Sequence, residues 1–186
     1  IFAPIMAAIM PFDPDGIMDK YFLNARGAIP RFDRNALEIR VIDVQECPQA
    51  DLAIAAATTA VIRTLHDDRW SSLAMQQAIG TDTLTRILRA CIRDADQAVI
   101  DNSGYLQVLG LSDRQYRAGE LWHNLIYRTG LNRSTFWVDT LRVILEHGPL
   151  ARRILRALGP GFAADRLHAV YRELCDCLDA GRLFTA

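Results

Sequence analysis

Residues 24–48 read Asn-Ala-Arg-Gly-Ala-Ile-Pro-Arg-Phe-Asp-Arg-Asn-Ala-Leu-Glu-Ile-Arg-Val-Ile-Asp-Val-Gln-Glu-Cys-Pro, and the fold is decided there. Four arginines (Arg26, Arg31, Arg34, Arg40) and four carboxylates (Asp33, Glu38, Asp43, Glu46) fall in a segment with the pattern of two short β-strands. The first strand candidate runs from Tyr21 to Phe32, where Pro30 suits an edge or a strand end. Asp33-Arg34-Asn35 is a turn, and Ala36 to Val44 is the clearest strand of the sequence. Leu37, Ile39 and Val41 point to one face of that strand, Glu38 and Arg40 to the other. A tight turn places Arg31 near Glu38, in a register that the pattern leaves open.

On either side of this stretch the character changes. Residues 1–20 hold Pro4, Pro11, Pro14 and the turn Asp13-Pro14-Asp15-Gly16, and read as an irregular connector. After Pro48 the pattern is helical. Pro48 in a first turn, with Asp51 close behind, opens a helix to about Leu65. Its run Leu52-Ala-Ile-Ala-Ala-Ala-Thr-Thr-Ala-Val-Ile is apolar or small on every side, which predicts a helix packed all round. Further helices are predicted over 82–99, from Ser112 with Gln115 as a capping box toward Tyr127, over 135–147, over 150–158 between two Gly-Pro pairs, and over 163–179 with Gly181 as cap.

The expectation is an α+β, predominantly α chain: residues 1–47 form a connector and an antiparallel strand pair, and residues 48–186 a bundle of five to seven helices. Two strands are not a stable sheet alone. The pair is therefore expected to join a larger sheet from an upstream segment or a partner chain.

Composition narrows the function. With 186 residues and a formal net charge of −1, no basic field argues for nucleic acid and no acidic run for a disordered tail. The basic residues are twenty arginines and Lys20, a bias that GC-rich coding explains. Cys47, Cys91, Cys175 and Cys177 lack metal-ligand spacing and read as reduced thiols of a cytoplasmic protein. No apolar run reaches the roughly 18–20 residues that span a membrane. The sequence opens on Ile1-Phe-Ala-Pro without an initiator Met or a signal peptide, and is read as a fragment.

Glu38-x-Arg40 leads the chemistry. Alternate strand positions bring both side chains to one ligand. A carboxylate is a hard ligand for Mg²⁺, and an arginine is a planar fork for phosphate or carboxylate. A weak, solvated ion-pair ladder is the plainer reading of the same spacing. The histidines His66, His123, His147 and His168 show no metal spacing, and His66-Asp67-Asp68 marks a helix end. Trp122, Tyr127, Phe136 and Trp137 read as core, and Arg152, Arg153 and Arg156 as a solvated helix face.

The run Leu37-Glu-Ile-Arg-Val-Ile-Asp43, followed by Pro48 and Ala50-Asp-Leu-Ala-Ile-Ala-Ala-Ala, resembles the C-terminal part of the bacterial glutamate–cysteine ligase and carboxylate–amine ligase family. It is more distantly similar to the glutamine synthetase fold. The resemblance covers residues 24–65 with specificity. It implies an antiparallel cup that binds ATP and Mg²⁺, with Glu38 as a metal ligand and Arg40 as the catalytic, phosphate-neutralising arginine. Arg26 or Arg31 would be the further arginine that binds substrate or phosphate, and Asp43 matches the pattern as well. The implied partners are glutamate, an amine such as cysteine, ATP and the upstream part of the same protein. The implied setting is glutathione biosynthesis, and a homo-oligomer is left open. Against this stand a non-catalytic helical interaction module that docks on a partner sheet, and a family member that has lost catalysis.

Overall fold

The computed structural model describes every residue except 1, 20, 22, 24, 25, 113, 114, 134, 135, 162 and 186. The chain is α+β and predominantly α, with nine α-helices and two short antiparallel strand pairs among the described residues. It divides into two compact units, Ile1–Val44 and Gln45–Ala186.

The first unit opens with helix α1 (Phe2–Ile9) and a 3₁₀ turn (Met10–Phe12) where the sequence suggested an irregular connector. The correction has a simple cause. Pro4 lies in the first turn of α1, whose N–H groups have no intrahelical acceptor in any case. The Asp13 carboxylate then accepts the N–H groups of Ile17 and Met18 at 3.0 and 2.8 Å, holding the chain as it leaves the turn.

Strands β1 (Ala28–Arg31) and β2 (Ala36–Ile39) pair antiparallel, with Ile29 opposite Glu38 and Arg31 opposite Ala36. Both are shorter than expected. The Arg40 N–H still reaches the Gly27 carbonyl at 2.8 Å. Beyond it, Val41 to Val44 are not strand among the described residues, since β-branched composition without a partner does not hold a strand. Asn24 and Ala25, at the head of the deciding stretch, lie outside the described residues. Asn35 takes φ +49° in the turn, a conformation its short polar side chain tolerates.

The faces of the pair are the reverse of a simple apolar-inside reading. Ile29, on the charged face with Arg31 and Glu38, is 1% exposed. Leu37 and Val41, on the apolar face, are 63% and 53% exposed.

The second unit begins with α2 (Pro48–His66), one residue past the expected end. The Asp51 carboxylate accepts the Gln45 N–H at 2.9 Å and ties the entry of the helix. Its buried stripe is Ala50, Ala53, Ala57, Val61 and Thr64, spaced by three and four as one helical face requires. Leu52 and Ile62 lie exposed, so the helix is packed on one face and not all round. Helices α3 (Leu73–Gln77) and α4 (Thr81–Asp94) follow. Then come β3 (Val99–Ile100), α5 (Ser103–Val108) and β4 (Tyr116–Arg117), which pairs with β3. The predicted helix over 82–99 therefore ends early, and the second strand pair was not foreseen.

Helix α6 (Ala118–Thr129) starts where the Glu120 carboxylate accepts the Arg117 N–H, so Ser112 and Gln115 do not open it. Helices α7 (Val138–His147), α8 (Leu150–Leu158) and α9 (Ala164–Ala180) complete the unit. Thr135, the expected start of α7, lies outside the described residues. The two unexpected short helices, α3 and α5, take the helical part above the five to seven expected.

The small side chains of Ala53 and Ala57 bury with Ile126 of α6 and Leu141 of α7. A second cluster gathers Val61, Ile100, Leu106, Tyr116, Leu121 and Leu125, and a third Ala157, Val170, Cys177 and Phe184. Trp122, Tyr127 and Phe136, read from sequence as core, are 39%, 66% and 73% exposed, whereas Trp137 packs against the α2–α6–α7 cluster.

One arginine also departs from its expected place. Arg153 is wholly buried, because it shares the inward stripe of α8 with Ala157, four residues on. Its Nε donates to the Gly148 carbonyl at 3.1 Å, and its Nη1 donates to Glu46 and to the Phe184 carbonyl. Glu46 in turn accepts the Phe184 N–H at 3.1 Å. A buried ion pair thus holds both backbone groups of one residue beyond α9.

Candidate functional site

The predicted site residues come together on the charged face of β1 and β2. Four residues separate Arg31 from Ala36, so the turn is short enough to fix the register and bring Arg31 beside Glu38. Arg31 Nη1 donates to Glu38 Oε2 at 2.7 Å, and Arg40 Nε donates to Glu38 Oε1 at 2.9 Å. Arg31 also forks onto Asp33, through Nε at 3.2 Å and Nη2 at 3.1 Å, and its guanidinium lies 4.1 Å from the Tyr21 ring centroid. Arg26 sits at an exposed bend two residues before β1. Asp43 is exposed past the end of β2.

Arg31 is the more buried of the two arginines between which the sequence did not choose. Its side chain is 16% exposed, against 24% for Arg40 and 36% for Glu38. The role of Asp33 had no signal beyond its place in a turn. Tyr21 had none, because a cation–π contact depends on tertiary placement.

Hydrogen bonds set the electrostatics. The Arg31 guanidinium holds the Asp33 carboxyl down to about 2, with the Tyr21 hydroxyl adding to the effect against some desolvation. Arg31 first, then Arg40, hold Glu38 below its ordinary value of 4.5. The Arg31 guanidinium is itself pushed further toward its charged form.

The sign follows from linkage. Both carboxyls are depressed in the folded state, so the stability they contribute is complete above their ordinary values of 3.8 and 4.5. It is lost as the pH falls through the folded values, about 2 for Asp33. A ¹³C carboxyl titration is expected to give an Asp33 midpoint well below 3.8 and a depressed Glu38. Ordinary midpoints for both would mean that the cluster does not form in solution.

Each Glu38 oxygen accepts one guanidinium hydrogen bond, which leaves a second lone-pair direction on each. One carboxylate flanked by two cations does not make a Mg²⁺ site by itself, and among the described residues no three His, Cys, Asp or Glu side chains converge to hold a metal. Glu38 fits as one ligand of a larger set. The arrangement by itself is a cluster of paired charges: Asp33 takes the Nε/Nη2 fork of Arg31, and Glu38 is shared between Arg31 and Arg40.

The second unit carries two adjoining recesses, between α6 and α7 and at the start of α6. Sequence reasoning missed them, because their walls meet only when the helices pack.

No family model matches the chain. No solved structure matches it either. An uncharacterized protein of Archaeoglobus fulgidus is 23% identical over 168 residues, which cover 90% of this chain and 39% of the relative. The chain thus spans about two fifths of the length of the relative it matches. No helix among the described residues is long and apolar enough to cross a membrane.

Proposed function

We propose that this chain is the C-terminal part of an ATP- and Mg²⁺-dependent ligase that joins a carboxylate, a glutamate γ-carboxylate, to an amine such as cysteine. The observation that carries the reading is the Arg31–Glu38–Arg40 arrangement on one strand face, within a run that resembles carboxylate–amine ligases. In such a reaction a carboxylate oxygen attacks the γ-phosphorus and ADP leaves. The amine nitrogen then attacks the acyl phosphate, and inorganic phosphate leaves. Positioning and charge neutralisation are what a protein contributes to the first step.

Here Arg40 would neutralise the transferring phosphoryl group and Arg31 would hold a phosphate or the substrate carboxylate, both aimed by Glu38. Mg²⁺ would supply further charge at the phosphates. Glu38 would be one of its ligands, with the remaining carboxylates coming from outside the described residues. A cytoplasmic setting and a place in glutathione biosynthesis belong to the same proposal.

A second reading has an observation of its own. Leu37 and Val41 expose the apolar face of the strand pair, as a module that docks on a partner sheet by edge addition requires. Calorimetric titration of the full-length protein with a non-hydrolysable ATP analogue and Mg²⁺ separates the two. Saturable binding that weakens at least tenfold in Arg40→Ala is expected for the ligase. Heat-silent titrations would leave the docking module.

A further inference from the structure

Helices α6 and α7 border an open groove of about 600 Å³, within the size range of sites for small organic molecules. At the start of α6 it runs into a second recess of about 510 Å³, and the two share Gly119, Glu120, Leu145 and Glu146. Their linings differ in kind. The first is mainly apolar, along Ile126, Val138, Leu141 and Leu145, with His123 and Arg142 also in its lining. The second gathers Arg117, Arg152 and Arg156.

Asp96 neutralises Arg152 across 2.8 Å. The partners of the other two arginines carry no charge: Arg117 donates to the Gln97 side-chain oxygen, and Arg156 to the His147 carbonyl. Two guanidinium charges at this recess are therefore without a carboxylate partner among the described residues. Glu120 and Glu146 line both recesses. One oxygen of Glu120 caps α6 by accepting the Arg117 N–H at 3.0 Å. Glu146 has no hydrogen-bond or ion-pair partner among the described residues.

The backbone at the wall is strained. Ala95 takes φ +50° and ψ −125°, which a residue with a Cβ seldom adopts and which surrounding structure must enforce. Arg152 enforces it from both sides, donating to the Asp94 carbonyl at 2.7 Å and to the Asp96 carboxylate.

The joined recesses thus set carboxylates and guanidinium groups beside an apolar wall. A ligand that complements them presents an apolar group, a cation and an anion within a few bonds of one another. An α-amino acid carries all three on one carbon. We infer that the two recesses form a binding site for a free α-amino acid with a bulky apolar side chain. Its side chain lies along Ile126, Val138, Leu141 and Leu145, its ammonium meets Glu120 and Glu146, and its carboxylate meets Arg117 and Arg156. The inference rests on the second unit alone and stands whether or not the hairpin belongs to a ligase.

The test uses L-phenylalanine beside two analogues that each lack one charged group, titrated calorimetrically into the full-length protein. 2-Phenylethylamine lacks the carboxylate and 3-phenylpropionate lacks the ammonium. A site that pairs both groups is expected to hold L-phenylalanine at least tenfold more tightly than either analogue. Arg156→Ala is expected to bring L-phenylalanine down to the level of 2-phenylethylamine while leaving that amine unchanged. Glu146→Gln is expected to bring L-phenylalanine down to the level of 3-phenylpropionate and to leave that acid unchanged. Both side chains are exposed, and circular dichroism checks that both variants fold. Three results would each overturn the inference: no saturable binding of L-phenylalanine at millimolar concentration, equal affinity for all three compounds, or variants that weaken both analogues alike.

Discussion

Arg153→Met is expected to lower the unfolding free energy of the second unit by about 3–5 kcal/mol. The loss has two sources. Glu46, with its side chain fully buried, would be left in the interior with no cation opposite it. The carbonyls of Gly148 and Phe184, which now accept from Arg153, would lose their donor, and buried groups left unsatisfied are costly. Glu46→Leu alone is expected to destabilise comparably, because it strands the guanidinium and the Phe184 N–H. The double variant Glu46→Leu/Arg153→Met removes both charges together and is expected to recover a large part of the loss. Urea denaturation of the wild type, both single variants and the double variant completes the cycle. Single variants within about 1 kcal/mol of wild type, the level of an exposed ion pair, would show that the pair is not buried in solution.

Arg40→Ala is expected to reduce ATP turnover at least a hundredfold, the effect of removing one donor aimed at developing negative charge. Arg40→Lys is expected to restore only part of that rate, because an ammonium keeps the charge without the planar fork. Glu38→Gln is expected to act as strongly while leaving the strand pair folded, since an amide keeps the shape but releases both arginines from their charged anchor. Coupled-enzyme measurement of ADP release by the full-length protein, with glutamate and cysteine supplied, gives these rates. Near-normal turnover in Arg40→Ala and Glu38→Gln would take the hairpin out of the mechanism, and the docking module would replace the ligase.

What the sequence made legible is local. The turn at Asp33-Arg34-Asn35 is short, so the proximity of Arg31 and Glu38 follows from chain geometry. Helix α2 was marked by Pro48 and Asp51 at one end and by His66 before two aspartates at the other. Pro4 misled because a proline reads as a breaker until its place in a first turn is known. The 82–99 segment misled because an amphipathic stripe continues past Asp94, where Ala95 turns the backbone to positive φ.

The larger misses are tertiary. Arg152, Arg153 and Arg156 look alike in sequence, yet one is wholly buried, because which stripe of α8 faces inward depends on Glu46, more than one hundred residues away. The exposed Tyr127 and Phe136 carry no local mark that separates them from Trp137. The groove between α6 and α7 was illegible for the same reason, since its lining converges only through packing.

The hold of Glu46 and Arg153 on Phe184 also orders events during synthesis. Glu46 and Phe184 stand 138 residues apart, among the most distant pairings the second unit allows. Until Phe184 has left the ribosome, α2 and α8 can assemble only with polar groups unsatisfied in their interior. The second unit is thus expected to close last and as a whole, with its helices held in a looser state until translation has passed that point. A stalled nascent chain ending before Phe184 would be sensitive to protease across α8 and α9, and one extended well beyond it would be resistant.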